Sequence, residues 1–326
     1  MKLLVTGGAG YIGSHTVREL VSAGHEVIVL DNLVYGHREA LIDDGVQLYE
    51  GDLGDQDFVR QIFTEHAIEA VIHFAAYAYV GESVHEPLKY YQNNLAAPLN
   101  LLTVMKEYDC KRFIFSSTCA TYGVPATIPI SENESQEPIN PYGQSKLMLE
   151  QVLKDCDAAW GLKSVFLRYF NASGASLDGK IGEAHDPETH LIPRVLMAIR
   201  GEIPQVDVFG TDYDTPDGTC IRDYIHVIDL ADAHLRALDF LQREQVSDYF
   251  NLGTGHGISV KAILEAAEKV SGKTVPVVYG DRREGDPPRL IADASKAKEK
   301  LGWVAKHSDV DQILQTAWNW DGNFGK

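Results

Sequence analysis

Cysteine is scarce, and its spacing is uninformative for metals or disulfides. Cys110, Cys119, Cys156 and Cys220 are the four present, scattered without a CxxC pair. That argues against a disulfide framework and against a cysteine zinc site, so no metal is expected. Positive charge is also in the minority: 29 Lys and Arg face 47 Asp and Glu, a formal balance of −18. Such a surface repels phosphate backbones and anionic membranes, so neither nucleic acid nor membrane is an expected partner, and an anionic ligand needs a local cationic pocket. No apolar stretch reaches the ~20 residues of a membrane span. Met1 runs at once into Lys2-Leu3-Leu4-Val5-Thr6, with no charged leader ahead of a long apolar run. The cytoplasm is the expected location. Internal repeats and low-complexity segments are absent as well.

What is present is an ordinary globular composition, 44% hydrophobic and 23% charged over 326 residues, long enough for about two domains. Lys2 to Thr6 is a short apolar run ending at Gly7-Gly8-Ala9-Gly10-Tyr11-Ile12-Gly13, after which apolar residues recur at helical spacing. Strand, glycine turn and helix in that order let backbone N–H groups and a helix N-terminus approach a pyrophosphate. A second apolar run, Val27 to Leu30, ends at Asp31 and Asn32. An acid roughly 20 residues past the glycines can accept both ribose hydroxyls and would repel a 2′-phosphate, so NAD is expected rather than NADP.

The alternation continues. Val46 to Tyr49 reads as a strand followed by Gly51-Asp52-Leu53, and Ala70 to Phe74 as another that ends at Ala75-Ala76. Asp52 can meet an adenine or simply close a turn. A helical stretch interrupted at Glu86-Pro87 resumes through Tyr91, Asn94 and Leu99, and Arg112 to Phe115 reads as a fifth strand before Ser116-Ser117-Thr118. Those hydroxyls are either turn chemistry or the rim of the cleft that opens beyond the strand ends of a parallel sheet. A helix opened by Pro141 puts Tyr142 and Lys146 one turn apart on one face. An ammonium beside a phenol favours the phenolate, which makes Tyr142 a candidate general base, although such pairs are also common on ordinary helices. A sixth strand, Ser164 to Tyr169, delivers Asn171. Repeated strand–helix alternation predicts an α/β fold with a doubly wound parallel sheet over residues 1–171. Beyond it Gly174, Gly179, Gly182 and Pro187 punctuate a loop-rich stretch leading to His190-Leu191. A smaller α/β domain over 172–326 is expected, with some later segments packing back on the first. Within it, Arg222 and Arg282-Arg283 are either surface ion pairs or a diphosphate clamp.

Taken in order, TGGAGYIGSH at 6–15, HFAA at 73–76, SSTCATYG at 116–123, NPYGQSK at 140–146, LRYFNASG at 167–174, DGTCIRDYIHV at 217–227 and RREGDPPRL at 282–290 cover essentially the whole chain. Together they resemble the extended short-chain dehydrogenase/reductase superfamily, and within it the UDP-sugar 4-epimerases. The resemblance implies a Rossmann domain holding NAD, a C-terminal domain holding a UDP-sugar, and a homodimer. It implies that Tyr142 is the base, that Lys146 binds the nicotinamide ribose and depresses the Tyr142 pKa, and that Thr118 hydrogen-bonds the sugar oxygen. Gly7, Gly10, Tyr11, Ile12, Gly13, Asp31, Asn32, Asp52, Leu53, Phe74, Ala75, Ala76, Asn93, Ser116, Ser117 and Tyr169 are similar to cofactor-pocket positions. Asn171, His190, Leu191, Phe209, Arg222, Tyr224, Arg283, Asp286 and Leu290 are similar to substrate positions.

The implied activity is 4-epimerisation of UDP-glucose and UDP-galactose through a transient 4-keto sugar, with galactose and wider carbohydrate metabolism as its setting. Two departures widen the substrate question. Tyr77-Ala78-Tyr79 stands where several hexose epimerases carry a lysine, and Leu290 stands where stringent ones carry a tyrosine, which leaves room for an N-acetyl group. HFAAYAYVGES and SSTCATYG also resemble UDP-xylose/UDP-arabinose 4-epimerases. Thr118 is followed by Cys119-Ala120 rather than an Asp-Glu pair, unlike the 4,6-dehydratases. A non-enzymatic nucleotide sensor would have no need of Thr118, Tyr142 and Lys146 together.

Overall fold

A computed structural model describes residues 1–282, 287–320 and 324. The chain begins β1 (Lys2–Thr6), α1 (Tyr11–Ser22), β2 (Glu26–Asp31), β3 (Gln47–Glu50), α2 (Gln56–Glu65) and β4 (Ala70–His73). It continues with α3 (Val80–His85), α4 (Pro87–Tyr91), a π-helical turn over Gln92–Ala96, α5 (Ala97–Glu107), β5 (Arg112–Thr118), α6 (Pro141–Trp160), β6 (Lys163–Tyr169) and β7 (Asn171–Ser173). Next come α7 (Leu191–Arg200), β8 (Val206–Phe209), β9 (Ile221–Arg222), β10 (Tyr224–His226), α8 (Val227–Glu244) and β11 (Asp248–Leu252). The last elements are β12 (Ile258–Ser259), α9 (Val260–Ser271), β13 (Val277–Gly280), β14 (Arg289–Leu290), α10 (Ser295–Leu301) and α11 (Val310–Asn319). Among the described residues no helix is long and apolar enough to cross a membrane.

Seven strands form one parallel sheet in the order β11-β6-β5-β4-β1-β2-β3. Its central strands are apolar on both faces because helices cover both. On one side Leu3, Val5 and Val29 meet α1, α8 and α10 through Val17, Leu230 and Leu301. On the other Leu4, Ile28 and Phe113 meet α2, α5 and α6 through Ile62, Leu101 and Leu149. Strand order reverses between β1 and β4, and a cleft opens there beyond the carboxyl ends of the strands, as such crossovers require.

The seventh strand, β11, comes from residues 248–252, far beyond the glycine-rich stretch that follows Asn171, and α8 packs on α1. A separate core joins α7, α9 and α11 through Val195, Ile263 and Ile313. One local expectation shifts. Arg112 to Phe115 is extended through Thr118, because Ser116, Ser117 and Thr118 keep pairing with Leu167, Arg168 and Tyr169. The three hydroxyls are the end of a strand, and they alternate faces accordingly.

Candidate active site

The glycine turn is built for close approach. Gly7 has φ +72°, and a Cβ there would lie 2.5 Å from the Ala75 amide nitrogen. A Cβ on Gly13 would lie 2.1 Å from the Gly7 carbonyl oxygen. Gly10 caps α1 with no side chain on its first-turn amides, so those donors face the cleft. At the end of β2 the Asp31 carboxylate accepts from the amides of Ala9 and Leu33, both at 2.9 Å. Burial pushes its pKa up, and those two amides oppose the push. Each oxygen keeps a free lone pair for a hydroxyl donor.

α6 starts on Asn140, whose side chain accepts from the Gly143 amide at 2.8 Å, with Pro141 at the first helical position. Gly143 lets the helix press on the turn after Thr118, since a Cβ there would sit 2.5 Å from the Ala120 carbonyl oxygen. Tyr142 and Thr118 are thereby brought together in one cleft, where the Thr118 hydroxyl favours the Tyr142 phenolate. The Lys146 ammonium donates to the Ser116 carbonyl at 2.8 Å and lies 6.0 Å from the centre of the Tyr142 ring. Ser116 and Tyr169 share a hydrogen bond at 2.5 Å.

The electrostatics correct one expectation. Lys146 does not pull the Tyr142 pKa down in this structure. Burial raises it well above the usual phenol value, the neighbouring Tyr169 raises it further, and the Thr118 hydrogen bond opposes both. Burial also lowers Lys146, to about 7, with Glu150 working against the shift. Desolvation outweighs the pairing because both groups are enclosed.

One cleft of about 750 Å³ collects most of the expected positions. Gly7, Gly10, Tyr11, Ile12, Gly13, Asp31, Asn32, Asp52, Leu53, Phe74, Ala75, Ala76, Asn93, Ser116, Thr118, Tyr142, Lys146, Tyr169, Asn171, His190 and Leu290 all line it. Ser117 does not: strand alternation turns its hydroxyl inward, where it donates to Glu150 at 2.7 Å. Leu191, Phe209, Arg222 and Tyr224 lie outside the lining, and Arg282 is taken up by Asp212 and the Tyr213 ring. Arg283 and Asp286 lie outside the described residues. Tyr35, Glu183 and His185 line the cleft without having been singled out in the sequence, and Tyr77 and Tyr79, marked there only as a departure from hexose epimerases, line it too. The tyrosines stack edge-on around Tyr35, at 5.6 Å to Tyr77 and 5.2 Å to Tyr79. Their alternation in Tyr77-Ala78-Tyr79 was the available signal.

The side-chain-free turn, the uncapped helix start, the acid at the end of β2 and the cleft volume fit a dinucleotide. A doubly wound sheet carrying this constellation defines a nucleotide-dependent enzyme of the short-chain type. Residues 3–253 match the model of the NAD dependent epimerase/dehydratase family, and the chain belongs to that family. It is 51% identical to the UDP-glucose 4-epimerase of Streptococcus mutans, covering 100% of this chain and 98% of that protein. The structure of UDP-glucose 4-epimerase from Brucella ovis in complex with NAD is 51% identical, with a TM-score of 0.95 and 97% of each chain covered. That of the Bifidobacterium longum enzyme in complex with NAD+ and UDP is 43% identical, with a TM-score of 0.93 and 98% of each covered.

Proposed function

We propose that this chain is an NAD-dependent UDP-sugar 4-epimerase that interconverts UDP-glucose and UDP-galactose. The observation that supports it most directly is the meeting of Thr118, Tyr142 and Lys146 in the cleft that also holds the glycine turn and Asp31. The 51% identity with UDP-glucose 4-epimerases supports the same reading. NAD supplies the hydride acceptor and donor when bound. Gly7, Gly10, Gly13 and the start of α1 hold its diphosphate, and Asp31 its ribose. Tyr142 takes the proton of the sugar 4-hydroxyl and gives it back after the 4-keto sugar has turned over, so no net oxidation occurs. Thr118 holds that oxygen in line and favours the phenolate, and Lys146 holds the nicotinamide ribose.

Residues 1–171 carry the cofactor side and later segments the UDP side, with Asn171, His190 and Leu290 at the junction. Leu191, Phe209, Arg222, Tyr224, Arg283 and Asp286 belong to the UDP side by resemblance. α3, α4, α5 and α6 expose Val84, Leu88, Leu99 and Met148, which suits a homodimer through these helices. Cytoplasmic location accords with this reading.

Incubation with UDP-galactose, UDP-xylose and UDP-N-acetylgalactosamine separately, with products resolved chromatographically, tests the proposal. Conversion of UDP-galactose to UDP-glucose is expected, and its absence with NAD supplied would sink the assignment. Leu290 in the cleft lining favours a second substrate, UDP-N-acetylgalactosamine.

A further inference from the structure

The loop between β7 and α7 brings together four side chains whose use the proposed chemistry leaves open. They follow the pattern E-x-H-x-x-E-x-H at Glu183, His185, Glu188 and His190. One ligand atom from each lies within 4.8 Å of every other. Both imidazoles turn Nδ1 toward both carboxylates. His190 Nδ1 lies 2.8 Å from Glu183 Oε1 and 2.9 Å from Glu188 Oε1. His185 Nδ1 lies 3.1 Å from Glu183 Oε1 and 3.6 Å from Glu188 Oε2.

A nitrogen has one proton to give, so an imidazole facing two carboxylates makes at best a divided hydrogen bond. Convergence of two nitrogens and two carboxylate oxygens on one point is instead the arrangement of a four-coordinate ion. Tetrahedral ligands at ~2.0–2.1 Å from zinc stand roughly 3.3 Å apart, and the nitrogen–oxygen separations above, which involve one oxygen of Glu183 and both of Glu188, lie on either side of that spacing. Charge balance agrees. The Glu183 and Glu188 side chains are 7% and 6% exposed, and two enclosed carboxylates need two positive charges close by. One divalent cation provides both.

We propose that Glu183, His185, Glu188 and His190 bind a single divalent transition-metal ion, with zinc the best match to two imidazole nitrogens and two carboxylate oxygens. The cysteine spacing behind the expectation of no metal has no bearing on a His/Glu set. Outer contacts hold the ligands in place, as metal sites require. Glu188 Oε1 accepts from the amides of Thr189 and His190 at 2.7 and 2.8 Å. The Glu183 carbonyl accepts from the Trp320 indole at 3.0 Å. Glu183 and His185 line both the main cleft and a second cavity of about 340 Å³, which gives an ion a way in. The ion would pin the loop to the start of α7, where His190 is the N-cap, and so fix one wall of the cleft. Its role is structural, and it stands whether or not the sugar chemistry above is right.

The test uses the full chain without a histidine tag. Protein stripped with a chelator, re-equilibrated with zinc and dialysed is analysed for metal, and a parallel sample is titrated with cobalt and read in the visible spectrum. One zinc per chain and the intense visible bands of tetrahedral cobalt are expected. Zinc at 100-fold excess over its Kd should raise Tm by roughly 4 °C. His185→Gln and Glu188→Gln should each abolish the stoichiometric zinc and the thermal shift. Zinc below a tenth of an equivalent, or cobalt that stays octahedral, overturns the proposal using the unmutated chain alone, so it does not depend on the variants folding. Stoichiometric zinc that both folded variants retain places the metal elsewhere and overturns it too.

Discussion

The Lys146 ammonium lies 6.0 Å from the centre of the Tyr142 ring and gives its hydrogen bond to the carbonyl of Ser116, not to the phenol. The two groups therefore share one enclosed pocket without a hydrogen bond between them. Burial raises Tyr142 and lowers Lys146 to about 7, so each resists the charge its proposed role needs. Thr118 is the neighbouring group that favours the phenolate. Replacing Tyr142→Phe is expected to lower kcat by roughly 10²–10⁴, the usual worth of general base catalysis, while NADH fluorescence titration shows binding within about threefold of the parent. Thr118→Val should also lower kcat, with a raised apparent pKa on the limb where the rate rises with pH, because it removes the group that favours the phenolate. A Thr118→Val profile identical to the parent's would deny Thr118 this part.

One turn beyond Lys146, Glu150 is fully buried and meets Arg168 in a two-pronged pair, with Arg168 Nε at 2.9 Å and Nη2 at 2.6 Å. Burial works against the Arg168 charge, but Glu150 outweighs it and raises the pKa. Ser117 and Gln136 satisfy the remaining carboxylate capacity. Removing one partner leaves a buried charge unpaired, so Glu150→Ala and Arg168→Ala should each cost about 3–5 kcal/mol in urea unfolding. The double replacement Glu150→Leu with Arg168→Met should cost much less than the sum, since two apolar groups leave nothing to pair. Additive losses in the cycle would show that the pair is not coupled.

Four histidines are held neutral by burial: His73 and His226 at about 3, His15 and His234 at about 4. The other contributions to each are smaller, and the His15 and His234 rings donate through Nδ1 to backbone carbonyls one turn back. Their pKa values lie below the unfolded value near 6.5, so between those limits the unfolded chain binds more protons than the native one. Stability is whole above about pH 6.5 and falls as pH drops toward 4, by up to about 1.4 kcal/mol per pH unit for each histidine. Thermal melts from pH 7 to 4.5 should show Tm falling with a steepening slope. His234→Gln should flatten that slope, and a Tm independent of pH across the window would contradict the assignment.

Much of this was legible in the chain itself, and for physical reasons. Short apolar runs located β1 and β2, and period-3.6 patterns α1 and α6, because burial on both faces of a central strand and on one face of a helix leaves such patterns. Pro141 marked the start of α6, and the structure adds Asn140 as the residue that caps it. Pairing partners far along the chain were not legible. That Ser117 turns to Glu150 depends on β5 running on beside β6, and that β11 completes the sheet depends on a return from the far half of the chain. Desolvation was equally hidden: spacing put Lys146 beside Tyr142, but the sign of the Tyr142 shift follows from enclosure by three segments at once. The Glu183 to His190 set was written in the sequence and was missed because histidine and glutamate are ordinary loop residues until the fold makes them converge.

Leu290 tests how far the sugar pocket discriminates. It ends β14, lines the cleft, and packs beside Tyr122, Ile130, Phe170 and Ala292. A leucine there leaves space that a tyrosine ring would fill, and that space is the natural place for a bulky 2-substituent on the sugar. Leu290→Tyr should therefore lower kcat/KM for UDP-N-acetylgalactosamine by roughly 10- to 200-fold, the range that steric differences of this size give in an apolar pocket. Turnover of UDP-galactose should change by less than about threefold, since the ring displaces volume that the unsubstituted sugar does not use. The two kcat/KM values measured side by side decide the matter. A parent enzyme that leaves UDP-N-acetylgalactosamine untouched at high enzyme concentration, or a variant that slows both sugars equally, would show that Leu290 does not set the pocket's width.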